Sequence, residues 1–411
     1  MNKQSFLKLD AYLTDLQDYW HFSVFPMLDY PWAETSPQLV ALLEGIDDQQ
    51  LADYLQNPDD FYSSLLPLLP ELRLLNDPLF AVADITEDTQ PAYPCWLSNG
   101  IKGRKWSQIS QFSAQVTGGI PVLEWCAGKG HLGRLLAFQN NNPITSVEWQ
   151  KSLCDAGQSL ADKSQVPQQF QQANVLIGEA DSLVTEKQHA VSLHACGDLH
   201  VHLIEQVKIK QTEQLTFSPC CYHLITDEIY QPLSETAKQS TLTLSRQDLK
   251  FSIAQQVTSG ERQKRLNDIE VHWRLSFDCL QKELLQTKAY LTLPSFPKVL
   301  LNQSFKDFCQ WAVDLKRLPF TLPDDLQPFL AQGLKRLKMV RRTELVTQFF
   351  RRPLELWLVY DRALSLEEAG YHIKLSTFCD FQTTPRNLLI QAKRSDTEKE
   401  RKADQANFIS F

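Results

Sequence analysis

Pro121-Val122-Leu123-Glu124-Trp125-Cys126-Ala127-Gly128-Lys129-Gly130-His131-Leu132-Gly133-Arg134-Leu135-Leu136 is the stretch that decides how this chain is read. An apolar run bounded upstream by Gly118-Gly119 enters a small-residue loop, after which Leu132, Leu135 and Leu136 return at helical spacing. The pattern predicts strand, tight turn, helix. Such a turn is a nucleotide cradle, because glycines let backbone approach a ligand with no Cβ in the way and the free amides of a helix start offer donors to a polar or anionic group.

Two cofactors suit that cradle. Gly128-x-Gly130-x-x-Gly133 satisfies the dinucleotide fingerprint, and Glu148 follows about 20 residues on, as that reading requires. S-adenosylmethionine (SAM) is the other. Its cationic sulfonium and amino group welcome a carboxylate at the strand end, where Glu124 stands and where a pyrophosphate would be repelled.

At 411 residues, 43% hydrophobic and 22% charged, the chain has the composition of a globular protein larger than one average domain. No apolar run approaches the length of about 18 residues that a membrane span needs, and the first residues lack a signal-peptide apolar block, so a cytoplasmic protein is expected. The nine cysteines are odd in number and scattered, without a Cys-x-x-Cys pair, which indicates reduced thiols and neither a disulfide framework nor a zinc site. A net charge of -8 argues against a generally basic nucleic-acid coat.

Away from the cradle, residues 1–93 carry leucine and aromatic residues at helical spacing broken by prolines, a helical N-terminal region. Residues 94–225 alternate strand and helix: after the first strand come strands at 143–148, 169–172, 189–193 and 214–218. This rhythm is the sign of an open, mostly parallel sheet, which binds ligands outside the carboxyl ends of its strands. Glu148 ends the second strand and suits ribose hydroxyls; Asn174 follows the third, as an adenine contact or a turn former. His194-Ala195-Cys196-Gly197-Asp198 and Cys220-Cys221-Tyr222-His223 follow the fourth and fifth. Residues 226–340 read as a helical insertion. In 341–395 an amphipathic helix at 354–370 and strands at 371–378 and 387–392 complete the sheet with an antiparallel terminal edge. Residues 396–411 form a charged tail.

Four motifs in this order carry a resemblance: Glu124-x-Cys-Ala-Gly-Lys-Gly-His-Leu, His194-Ala-Cys-Gly-Asp198-Leu, Cys220-Cys-Tyr222-His223-Leu and Thr384-Pro-Arg386-Asn387. The chain resembles the methyltransferase group that contains methyltransferase-like protein 25 and the glutathione-S-transferase C-terminal-domain-containing protein. Its second and third motifs are similar to those of tRNA 2′-O-methyltransferases of the Trm-thirteen type. The resemblance implies a Rossmann-like class I methyltransferase fold, SAM as cofactor, and Glu124, Gly128, Gly130 and Glu148 on it; Cys126, where the commonest motif has its first glycine, Asn174 and His194 are further candidate cofactor contacts at strand ends. Two departures stand out: zinc-binding modules of the tRNA enzymes are absent, and Cys-Cys-Tyr-His replaces Cys-Cys-His-His.

Methyl transfer from a sulfonium is an in-line displacement, so a protein mainly aligns the acceptor and removes its proton. Asp198 is a candidate to orient the acceptor or act as base, and equally a helix cap. Tyr222 and His223 suit an acceptor base, one by stacking and one by taking a proton; Cys220 and Cys221 read as small residues tightening a strand end. No metal ligand set is expected. Lys335, Arg336, Lys338, Arg341, Arg342, Arg351 and Arg352, with the single acid Glu344, read as a phosphate track or a solvated helix face. The function expected is a SAM-dependent methyltransferase acting on RNA, tRNA or rRNA; the alternatives are a protein methyltransferase and a degenerate methyltransferase fold serving as a binding scaffold.

Overall fold

Val122–Trp125 is buried at all four positions, as a strand covered on both faces must be. It lies inside an eight-stranded sheet in the computed structural model of this chain, which describes residues 2–85, 93–253, 261–294, 296–297 and 301–395. The strands are β1 (Ala83–Asp84), β2 (Val122–Trp125), β3 (Ile144–Glu148), β4 (Gln168–Gln172), β5 (His189–Ser192), β6 (Gln214–Phe217), β7 (Tyr371–Thr377) and β8 (Leu388–Arg394), in the order β1-β7-β8-β6-β5-β2-β3-β4. From β4 through β6 every pairing is parallel. At the other end β8 runs against both β6 and β7, which gives the mostly parallel, Rossmann-like sheet its antiparallel part. The sequence-predicted charged tail at 396–411 lies outside the described residues.

Helices His131–Asn140, Lys151–Ser164 and Asp198–Lys210 follow β2, β3 and β5. Each stops on a left-handed residue, Asn141, Gln165 or Gln211, with φ of 51° to 52°, which frees the chain to turn back into the next strand. After β4 the return is made by two short 3-10 turns, Val175–Ile177 and Asp181–Leu183. β2 sits between β3 and β5, so the strand order reverses there, and the crevice for a ligand opens above its tip.

The chain forms two compact units, one of residues 1–15, 75–255 and 351–411, the other of residues 16–74 and 256–350. The helical region read over 1–93 is thus shared between the two: an amphipathic pattern shows which face is buried and not what covers it. In the sheet unit the helix Asn2–Asp15 lies on Arg351–Glu368, where Phe6 meets Trp357 at 5.2 Å between ring centres and Trp357 Nε1 donates to Asp10 at 2.8 Å. Ile109, Phe112, Leu135, Ile144, Val191 and Leu389 fill the core beside the cradle. The second unit has its own core, around Phe277, Phe305, Phe308 and Phe329 on helices Glu261–Leu284, Phe305–Lys316 and Gln327–Thr347. No helix among the described residues is long and apolar enough to cross a membrane.

The basic stretch from Lys335 to Arg352 does not form a continuous exposed strip. Arg336 is buried, donating to Asp278 at 2.5 Å; Lys338 pairs with Asp48 at 2.8 Å; Arg341 pairs with Asp268 and Glu344; Arg342 donates to the Ile46 carbonyl at 2.6 Å. Further along, Arg352 pairs with Glu355 at 2.7 Å and Arg351 lies over the Phe251 ring. Runs of cations look alike in sequence whether their partners are solvent, phosphate or carboxylates brought from distant helices.

Beneath the β5 and β6 tips stands a fully buried polar pillar. Arg362 Nε donates to His200 Nε2 at 2.8 Å, its Nη1 donates to the Tyr230 hydroxyl and the Leu358 carbonyl, and its guanidinium lies 4.8 Å over the Tyr222 ring. Asp361 accepts from the Tyr230 hydroxyl and from Leu233 and Ser234. Replacing Arg362 strands these buried acceptors, so Arg362→Met should lower the unfolding free energy in urea by about 3 kcal/mol or more. A loss indistinguishable from that of an exposed Lys-to-Met change would contradict the pillar's role.

Candidate active site

The loop after β2 repeats one backbone conformation. Cys126, Gly128 and Gly130 have φ of 57°, 60° and 59°, the left-handed region that glycine enters freely and other residues at a cost of roughly 1–2 kcal/mol. Cys126 therefore holds a glycine's conformation with a side chain attached, stored strain next to a ligand crevice. Amide hydrogen bonds from Ala127 to Val147 and from Gly130 to Ala127, both 2.9 Å, hold the turn. A Cβ added at Gly128 would meet nothing within 4 Å, so that position faces open space, where a ligand can approach the backbone. At Gly133 an added Cβ would lie 2.4 Å from Glu124 Oε2: this glycine exists for packing.

Glu124 is 3% exposed. Its Oε2 accepts from Ser146 Oγ at 2.6 Å, and Gln168 Nε2 donates to Ser146 Oγ at 2.8 Å and to the Gly130 carbonyl at 3.0 Å. The Gly133 amide also donates to the Glu124 carboxyl. Burial dominates these bonds and pushes the carboxyl up to about 7, from 4.5. Near neutrality it is thus poised between the acid and the carboxylate, a state that an arriving cation would tip toward the carboxylate.

Around it the pocket is walled by Lys105, Trp125, Cys126, Ala127, His131, Leu132, Leu193 and His194. His131 Nδ1 faces Arg134 Nη2 at 3.1 Å, and burial together with the Arg134 charge holds its imidazole neutral, down to about 4. Burial, with the neighbouring Glu148 charge, pushes the Cys126 thiol up to about 12, so it is no nucleophile at neutral pH. His194 is exposed at the pocket wall.

The other sequence-predicted residues occupy several places. Glu148, 7% exposed, accepts from the Gly128 amide at 3.0 Å and from the Gln150 amide at 2.9 Å, so it fixes the cradle from the neighbouring strand. Asn174 Oδ1 accepts from the Leu176 amide, which makes it the cap of the turn after β4. Asp198 Oδ2 accepts from the Thr226 amide at 2.7 Å and the Thr226 hydroxyl at 2.8 Å, pinning the loop after β6 to the helix start after β5. Tyr222 corrects the reading of an aromatic that stacks on an acceptor base: it is completely buried against Arg362, because its ring fills the core under the strand tip. His223 remains half-buried on that turn.

The residues 104–228 match a family model described as a methyltransferase domain. Over these residues, somewhat under a third of its length, the chain is similar to methyltransferase domains. Among solved structures it is similar to a tRNA (uracil-54, C5)-methyltransferase of Pyrococcus abyssi in complex with S-adenosyl-L-homocysteine, at 16% identity over 27% of each chain and a TM-score of 0.23. It is also similar to a precorrin-6y C5,15-methyltransferase of Geobacter metallireducens, at 10% identity over 33% of this chain and 71% of that one, TM-score 0.25. A third is a TehB-like SAM-dependent methyltransferase of Corynebacterium glutamicum, at 11% identity over 27% and 60%, TM-score 0.23. Among curated proteins none matches the chain.

SAM fits the pocket on two observations: a carboxyl held near its midpoint by burial in the wall, and an open Cβ position at Gly128. Sequence reasoning missed Ser146 and Gln168, which brace Glu124. Their signal was faint. Ser146 is an inward residue of a predicted strand, whereas Gln168 is one glutamine in a glutamine-rich run. Trp149, 63% exposed directly after Glu148, was also passed over, although a large exposed indole at a strand tip is unusual.

Two outcomes follow. Because the folded carboxyl of Glu124 titrates above its unfolded value, its contribution is present below pH 4.5 and lost as pH rises through about 7. Glu124→Gln should therefore gain on the wild type by up to about 3 kcal/mol between pH 5 and pH 8 in denaturant titrations; parallel stability curves over that range would refute the assignment. Glu148→Ala frees the Gly128 amide and should weaken SAM binding at least about tenfold by calorimetry, a loss of roughly 1.4 kcal/mol; wild-type affinity in this variant would remove Glu148 from the site.

Proposed function

We propose that this chain transfers the methyl group of SAM to RNA. The observation that carries the acceptor class is a set of cations in and around the pocket. Lys105 lines it, Lys129 stands in the loop between Gly128 and Gly130, and the charges of Arg386 and Lys250 act on the imidazoles of His194 and His223. On a chain of net charge -8, positive charge gathered at one crevice favours a polyanionic acceptor over a neutral one. The resemblance of the second and third motifs to tRNA 2′-O-methyltransferases supports the same reading.

In this account the cofactor supplies an electrophilic methyl group on a sulfonium. The chain's own part is alignment and electrostatics. Glu124 faces the cationic end of the cofactor, the Gly128 backbone admits it, and Glu148 holds that backbone in place. Trp149 offers a flat apolar face for a base. His194, exposed in the wall, lies where it can orient an acceptor group. Lys105 and Arg386 draw phosphates toward the crevice.

The decisive assay incubates the full chain with methyl-labelled SAM and total cell extract, then splits the product between nuclease and protease. Label should disappear with nuclease and survive protease, and Arg386→Glu should cut incorporation at least about tenfold while lowering the salt dependence of RNA binding by about one phosphate contact. Label that resists nuclease and is lost on proteolysis would replace RNA with a protein acceptor.

A further inference from the structure

The β5 and β6 tips bring together three thiols that sequence spacing keeps apart. Cys196 follows β5, Cys220 and Cys221 follow β6, and the ligand atoms of all three lie within 4.8 Å of one another, Cys196 Sγ and Cys220 Sγ at 3.5 Å. Among the described residues no other group of three His, Cys, Asp or Glu ligands converges in this way. A tetrahedral zinc ion with Zn–S near 2.3 Å sets its sulfurs about 3.8 Å apart, so the three sulfurs already stand near the edge length of a coordination tetrahedron.

Backbone geometry fixes this arrangement. Cys196 and Cys220 are partners in a parallel bridge beyond the two strands, and the Gly197 amide donates to the Cys220 carbonyl at 3.2 Å. The Asp198 amide donates to the Leu224 carbonyl at 3.0 Å, while the Leu224 amide closes the turn onto the Cys221 carbonyl at 2.9 Å. A Cβ at Gly197 would lie 1.9 Å from the Leu224 oxygen, so the loops meet as closely as they do only because that residue is glycine. Cys221 sits at φ 49°, a left-handed conformation costly for a cysteine, and it turns the second thiol of the pair to the same side as the first. Sulfur is a weak donor and acceptor, so bonds among the three side chains repay little of this strain. Two residues on, His223 carries a buried Nδ1 with no hydrogen-bond partner. Three converging sulfurs form a soft donor set, and an unpartnered imidazole nitrogen on the same turn is available to join it.

We propose that Cys196, Cys220 and Cys221 bind one zinc-type divalent ion, and that His223, which lies outside the three-sulfur cluster in this structure, turns in to complete the set. Each thiol gives its proton to solvent as its sulfur takes up the metal. The ion ties the loop after β6 to the tip of β5, next to His194 in the pocket wall, and so holds the frame through which an acceptor approaches. The site does not depend on the acceptor being RNA.

The test uses the full chain, purified under reducing conditions without chelator. Elemental analysis should find about one zinc per chain, and metal-free protein loaded with Co2+ alone should show thiolate-to-cobalt charge transfer with the intensity of three sulfur ligands. Cys196→Ser, Cys220→Ser and Cys221→Ser should each weaken cobalt binding by more than about tenfold, as should His223→Ala. Cys95→Ser, an exposed thiol outside the cluster, should bind as wild type does. Should a serine variant fail to fold, the wild-type cobalt spectrum still counts the thiolates. Metal-free wild type with no charge-transfer band, or a Cys196–Cys220 disulfide found by mass spectrometry in the reduced protein, would overturn the proposal.

Discussion

A single buried carboxyl organises the site. Glu124 leaves the middle of a strand covered on both faces, reaches across to Ser146 on β3, and is braced through Gln168 on β4, which also holds the Gly130 carbonyl. Its Oε2 occupies the place that a Cβ on Gly133 would take. Three strands and the first turn of a helix thus converge on one acid. Water is excluded from the carboxyl, which is why it stays near its midpoint at neutral pH instead of being fully ionised. A permanently charged group there would be costly to bury; a readily ionised one is stable alone and responsive to a cation.

Much of this was legible in the amino-acid sequence. Four of the five parallel strands beside the crevice were readable as short runs rich in apolar or β-branched residues, the glutamine-rich β4 by its place in the strand-helix rhythm, and the glycines announced the loop between the first strand and its helix. Glu124, Cys126, Gly128 and Glu148 were found because their position relative to a strand end is a one-dimensional property. What failed to show was whatever depends on a partner far away in the chain. Tyr222 looked like a surface aromatic, and Arg362, 140 positions on by sequence number, is what makes it core. Cations from Arg336 to Arg352 looked free, yet Arg336 and Arg341 meet Asp278 and Asp268 of another helix and Arg352 meets Glu355 one turn along its own. The two-residue strand β1 was too short to carry any period.

Strain and support are distributed accordingly. Cys126 and Cys221 both take left-handed backbone conformations, one at the tip of β2 and one at the tip of β6, and both flank the crevice. Beneath them the Arg362 pillar is densely hydrogen-bonded: His200 is held neutral by burial and accepts from Arg362 Nε, while its other nitrogen bonds the Ala195 carbonyl. A rigid lower layer lets strained loops persist above it.

The claim at the centre of this account is that the Glu124 carboxyl is half-protonated before a sulfonium arrives and ionised afterwards. Calorimetry of SAM binding at pH 7 in two buffers of different ionisation enthalpy measures that change directly. Wild-type protein should release roughly half a proton per SAM bound, and Glu124→Gln none. A binding enthalpy in the wild type that does not vary with the buffer would contradict it.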